Sequence, residues 1–189
     1  MIPSAVPLSS LGRSALALDT GAYQALVVSG SGNEAARQLL AGHEPADLFE
    51  AGKCRDADRA AGALAGLWLL YDCLHESHVI AQAIETPTGS FWHAIMHRRE
   101  GDFSNSQYWY RRAAGHPVLA TLAAQAGAIV HGAPADNALL KIVIAGWNPI
   151  AFVDFVESAH RQGNEDRRRM ARDLQIMEWR ALFDYCTRA

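Results

Sequence analysis

Apolar residues return every three to four positions through most of the chain, the spacing of helix faces rather than the alternation of half-buried strands. Leu64, Leu67, Trp68 and Tyr71 form one such stripe, and further helical steps reach His75, His78, Gln82 and Glu85. Alanine is abundant and β-branched runs are scarce, so helix propensity dominates. The punctuation agrees. Ser104 and Gln107 have capping-box spacing, Asn148 precedes Pro149 as an N-cap would, and Asn164 precedes Glu165 and Asp166 at a positive helix end. Gly101, Gly115 and Gly163 stand where helices stop. Together these signals predict helices over 20–29, 33–41, 56–84, 89–100, 104–114, 117–131, 137–145, 149–161 and 165–187.

The expected architecture is all-α: a single-domain, irregular multi-helix bundle around a central antiparallel pair, 56–84 and 89–100. Residues 1–19 mix proline, serine and glycine and read as a loose N-terminal arm, with 20–189 as one helical domain. A chain of 189 residues is long enough to bury a full core.

Charge narrows the classes of function. The net charge of -3 argues against nucleic-acid binding, and the one dense basic run, Arg167 to Arg169, sits beside Glu165, Asp166 and Asp173 as a solvated helix face. The longest uncharged apolar run, Ala60 to Tyr71, falls short of the roughly 20 residues that a membrane span needs. No basic segment followed by a long apolar stretch marks the N-terminus as a signal peptide. Cys54, Cys73 and Cys186 are too scattered for a disulfide framework, so the expected compartment is the reducing cytoplasm. A homodimer fits the base rate of symmetric assemblies, with no residue pattern to decide it.

The strongest chemical signal is a gathering of histidines. His75 and His78 continue the stripe of the first helix of the pair, while His93, His97 and Glu100 stand at i, i+4 and i+7 on the second. An antiparallel pairing brings four imidazoles towards one point. Imidazole is the commonest metal ligand, and two histidines one turn apart can hold one ion, so His75, His78, His93 and His97 are the candidate metal ligands. The helical metalloprotease motif carries a glutamate after its first histidine; here Ala94 stands there, and the His75–His78 string is one residue too short. A base for metal-bound water must then be Glu100, Glu76 or Glu85. Two other readings stand beside the metal site: a metal-free binding or acid–base pocket, and a network that only braces helices.

After the second helix come Arg98, Arg99, Asn105, Tyr108, Trp109, Arg111, Arg112 and His116. Guanidinium forks grip carboxylates and phosphates, and aromatic rings stack on flat substrates, so Arg98, Arg112, Tyr108, Trp109 and His116 are candidate substrate contacts. The competing reading has the arginines complementing negative helix ends, Trp109 in the core and His116 as a helix entry before Pro117. Ser29 to Asn33 lacks the lysine of a P-loop and reads as a turn capped by Ser31 or Asn33. Cys73 lies among apolar residues, where a thiol is inert. His43, His131 and His160 fall near helix ends and read as surface or capping residues.

The block from Phe91 through His93-Ala94-Ile95-Met96-His97-Arg98-Arg99-Glu100-Gly101-Asp102, on through Asn105, Tyr108 to Arg112, and His116-Pro117, resembles a group of microbial all-helical proteins with no known activity. The resemblance covers about a quarter of the chain. It implies only that this block is a candidate site and carries no reaction with it.

These readings converge on a metal-dependent enzyme, hydrolytic in chemistry, acting on a small polar or anionic substrate. Zinc is the default divalent ion, with iron, nickel and manganese open. The four histidines supply ligands, Glu100 is fourth ligand or base, and Arg98 or Arg112 orients the substrate. The rival expectations are a metal-free small-molecule binder and an interaction protein braced by histidines.

Overall fold

In the computed structural model, residues 7–18, 23–51, 53–54, 56–131, 136–162 and 164–188 are described. Among them the chain forms α1 (Ser10–Leu16), α2 (Glu34–Leu40), a short 3-10 helix (Pro45–Leu48), α3 (Ala57–Leu70), α4 (Leu74–Ala83) and α5 (Pro87–Glu100). It continues through α6 (Phe103–Arg112), α7 (Val118–His131), α8 (Asn137–Val143), α9 (Pro149–Gln162) and α10 (Glu165–Thr187). The described residues hold no strand, and the all-α multi-helix bundle stands. Among the described residues, no helix is long and apolar enough to cross a membrane.

The bundle is organised around α5, which lies against α3, α4 and α6 and is buried from Thr88 through Arg99. A helix enclosed on every side is normally apolar all round. This one carries His93, His97, Arg98 and Arg99, so each needs a partner inside the fold. On the α3 side, Gly62 and Gly66 form a groove for Trp92, and a Cβ at Gly66 would come within 2.7 Å of the indole. Trp179 of α10 donates its Nε1–H to the Gly66 carbonyl at 2.8 Å, closing the other side of the groove.

The two arginines are tied differently. Arg98 donates to Tyr110 Oη at 2.5 Å and to Glu178 Oε2 at 2.5 Å, while the Tyr110 hydroxyl donates to Glu178 Oε1 at 2.7 Å. All three side chains are buried, and α5, α6 and α10 meet there. Arg99 donates to the Leu69 carbonyl at 2.6 Å, to Asp72 Oδ1 at 2.6 Å and to the Ala25 carbonyl at 3.2 Å. One guanidinium thus joins the end of α3, the second residue after it and a distant segment.

That tie accounts for the main departure from the expected elements. The 56–84 helix is broken into α3 and α4 at Tyr71–Cys73, where Asp72 takes the left-handed conformation at φ 62°. Aspartate tolerates that region better than most residues, and Arg99 holds both its carboxylate and the Leu69 carbonyl, which also accepts from Asp72 N–H at 3.1 Å. The expected helix at 20–29 also fails. Its described part, from Tyr23, runs without helix, held by Val28 N–H on the Arg99 carbonyl at 2.7 Å and by Gln175 on the Ala25 carbonyl at 3.0 Å. Tertiary hydrogen bonds outweigh the helix propensity of that stretch.

Within the segment read as a loose arm, α1 packs Ala15 into the core, and the Tyr71 hydroxyl donates to the Ala15 carbonyl at 2.5 Å. Asn33, Asn148 and Asn164 cap their helices through their side chains, and Gly101 closes α5 at φ 89°. The Ser104–Gln107 capping box does not form, because the Asp102 side chain takes the N-cap and accepts from Asn105 N–H at 3.1 Å. Gly163 lies outside the described residues.

Candidate metal centre

Helical spacing puts His93 and His97 one turn apart on the face of α5 towards α4 and α6. His78 enters from α4, and one nitrogen from each of the three rings falls within 4.8 Å of the others. The ring centroids of His78 and His93 are 4.6 Å apart, those of His93 and His97 4.8 Å, and those of His78 and His97 5.5 Å. His93 and His97 are buried and His78 is half-buried. With metal–nitrogen bonds of about 2.1 Å, tetrahedral ligands sit about 3.4 Å apart, so the three rings would draw closer around an ion.

Hydrogen bonding sorts the ring nitrogens. His97 Nδ1 lies 2.9 Å from Glu100 Oε2, so it donates there and leaves Nε2 as the unprotonated ring nitrogen. The carboxamide Nδ2 of Asn105, on α6, lies near both ring nitrogens of His97, 3.1 Å from Nε2 and 3.4 Å from Nδ1. His93 Nδ1 is buried without a hydrogen-bond partner. Burial, with His97 and His78 as close neighbours, pushes the His93 pKa down to about 4, and burial also lowers that of His78. Both are therefore neutral near pH 7, the form that coordinates a metal.

The cluster has a wall and an opening. Trp109 stacks flat on His93, with centroids 3.9 Å apart and planes at 13°. On the other side, His78 and His97 line a cleft of about 430 Å3 whose mouth is formed by Gly30, Ser31, Arg37 and Asp72. Arg37 donates to Glu76 Oε1 at 2.6 Å and to the Ser31 carbonyl, so helix α2 and the loop before it close on α4. Burial opposes ionisation of Glu76, but the Arg37 hydrogen bond prevails and holds its pKa below the usual carboxylate range. A wider groove of about 630 Å3 between α7 and α10 contains Asp173, Arg180 and Asp184 but none of the clustered histidines.

The candidate residues separate accordingly. His78, His93 and His97 come together, with Glu100 on His97 and Trp109 on His93. His75 does not join the triad: the break at Asp72 restarts the helix, and His75 stands exposed at the cleft edge, while Gln82 and Glu85 of the same stripe also face outward. Glu76 is committed to Arg37. Arg98 points into the core ion pair and cannot reach a substrate. His116 is buried elsewhere, where Nδ1 accepts from Val118 N–H at 3.1 Å and Nε2 lies 3.2 Å from Thr88 Oγ1. Tyr108 and Arg112 are exposed, with the Arg112 guanidinium 5.3 Å from the centre of the Trp109 ring.

Cys73 is buried at the start of α4, and burial raises its pKa. His43 is exposed beside Asp47 and His160 is exposed on α9; the His131 side chain lies outside the described residues. Sequence reasoning missed three contributors: Arg37, Asp72 and the Gly30–Ser31 loop, read as a plain turn. Gly32 was the available signal, since at φ 82° a Cβ there would meet the Asp72 backbone at 2.8 Å, marking a close approach of loop to helix break.

No family model matches the chain, and neither does any curated protein or solved structure.

Proposed function

We propose that the protein is a metal-dependent enzyme of hydrolytic chemistry, acting on a small polar or anionic substrate in the cleft beside His78 and His97. The observation that carries this reading is the convergence of three imidazoles from two helices: His78 and His97 line a cleft, and the third, His93, keeps a buried Nδ1 that has no partner. Three histidines with an accessible further position are the donor set of catalytic zinc sites, and nickel, iron or manganese suit imidazole too. Such an ion would polarise a substrate oxygen and lower the pKa of bound water to about 7. Glu100 orients His97 in this reading rather than binding metal, as its hydrogen bond to Nδ1 favours. Arg37 at the mouth replaces Arg98 as the cation facing an anionic substrate. The free thiols of Cys54, Cys73 and Cys186 fit a reducing cytoplasm.

A second reading has its own observation. The Glu100–His97 pair also orients a general base without metal, which makes the cleft an acid–base or ligand-binding pocket. Elemental mass spectrometry on protein purified without a histidine tag or chelator separates the two. Near-stoichiometric metal, lost in His93→Ala/His97→Ala, supports the metal centre. Absence of metal from the wild type, with reconstitution also failing, leaves the dyad reading.

A further inference from the structure

Arg37 stands at the mouth of the cleft, yet the edge of its guanidinium that suits an oxyanion is already in use. Nε and Nη2 share that edge, and a carboxylate or phosphate would take both in a two-point grip. Here the two donors serve separate acceptors: Nε donates to Glu76 Oε1 at 2.6 Å, and Nη2 donates to the Ser31 carbonyl. Glu76 thus makes a one-point contact. Its other oxygen, Oε2, is buried and has no hydrogen-bond partner, a condition that folded proteins seldom leave without a reason. Glu34, the other carboxylate near this guanidinium, is exposed and lies 3.8 Å from Nη1.

We infer that Glu76 stands in for the ligand: it holds Arg37 until an oxyanion enters the cleft and takes Nε and Nη2 from Glu76 and the Ser31 carbonyl together. The inference deepens the reading above and rests on the cleft as its ligand site. The exchange is favoured on both sides. The incoming group gains two parallel charge-assisted bonds where Glu76 has one. Glu76 is half-buried and Ser31 exposed, so on release water can take over the carbonyl and reach the carboxylate oxygen that was bare. The same exchange selects among anions. A halide offers a single point and gains nothing over Glu76, whereas a carboxylate or phosphate matches the fork.

Isothermal titration calorimetry of the metal-free full-length protein with inorganic phosphate, and separately with acetate, in chloride at constant ionic strength tests the exchange. The proteins compared are wild type, Glu76→Gln, Glu34→Gln and Glu76→Gln/Arg37→Gln, with Glu76→Ala in place of Glu76→Gln should the latter not melt cooperatively. An internal competitor lowers apparent affinity by the fraction of time it holds the site, so Glu76→Gln is expected to bind one of the two anions about tenfold or more tightly than wild type. The larger of the two gains names the oxyanion, and the gain should vanish in Glu76→Gln/Arg37→Gln. Glu34→Gln removes the same charge beside the same guanidinium and is expected to gain far less. An equal gain in Glu34→Gln would reduce the effect to charge alone and overturn the exchange. So would Glu76→Gln binding neither anion more tightly than wild type, and that result leaves the metal reading standing. Because no metal enters the titration, a wild type that binds no metal overturns the metal reading and leaves the exchange in place.

Discussion

The Trp109 indole lies flat on the His93 imidazole, with 3.9 Å between centroids, so a fluorophore rests directly on a candidate metal ligand. A quenching ion such as Ni2+ bound at His93 is therefore expected to darken this tryptophan more than the four others in the chain. Trp109→Phe should bind the ion and lose most of the fluorescence change. Equal quenching in wild type and Trp109→Phe would place the ion away from His93.

Glu100 fixes the tautomer of His97 through a 2.9 Å hydrogen bond while remaining half-exposed itself. Outer-shell partners of metal-binding histidines commonly contribute about 10–100-fold in affinity. Glu100→Gln is expected to lower metal affinity within that range and to leave the urea midpoint of the metal-free protein near wild type. A change in the midpoint with no change in affinity would make Glu100 a structural residue.

The Arg98–Glu178 pair is the most deeply buried ion pair among the described residues, with both side chains at 0% exposure. Removing one partner strands the other, and Arg98→Met is expected to cost about 3–5 kcal/mol in urea unfolding. The double variant Arg98→Met/Glu178→Leu should recover a large part of that loss. Single and double variants of equal stability would show that the penalty comes from packing around Tyr110 and Phe152 rather than from the unpaired charge.

His116 gives the core a response to acid. Burial, assisted by the nearby positive charge of Arg59, pushes its pKa down to about 4, and its Nδ1 is occupied by the Val118 N–H. The unfolded chain takes up this proton near pH 6.5 and the folded chain does not, so stability present above pH 6.5 is lost as pH falls towards 4. In His116→Gln, whose carboxamide can still accept from Val118, melting temperature should fall less steeply across that window. An unchanged slope would assign the acid sensitivity to other groups.

The His93–His97 pair was legible because both residues sit on one unbroken helix, where a spacing of four fixes their relation. His78 reached the same cluster by a route that periodicity does not describe. The stripe from Leu64 to His78 passes through the break at Asp72, where no glycine or proline announces a stop and the tie comes from Arg99, 27 residues away in sequence. Loss of His75 from the site and retention of His78 are both consequences of that break. Asn105 read as one polar residue in the first turn of a helix, and its approach to His97 belongs to the packing of α6 on α5. Arg98 and Arg99 carry the same sequence signal as solvent-facing arginines at a helix end. Partners distant along the chain, Glu178 for Arg98 and Asp72 for Arg99 among them, hold them inward.

Arg99 also sets how the rim of the cleft opens. Its side chain holds Ala25 and its backbone carbonyl holds Val28 N–H, while the same guanidinium fastens the end of α3. The segment beside the Gly30–Ser31 mouth, though it lacks regular structure, is thereby fastened to the buried centre of the bundle. Amide hydrogen exchange at Val28 should follow the slow, cooperative opening of α5 rather than the rapid exchange of a surface loop.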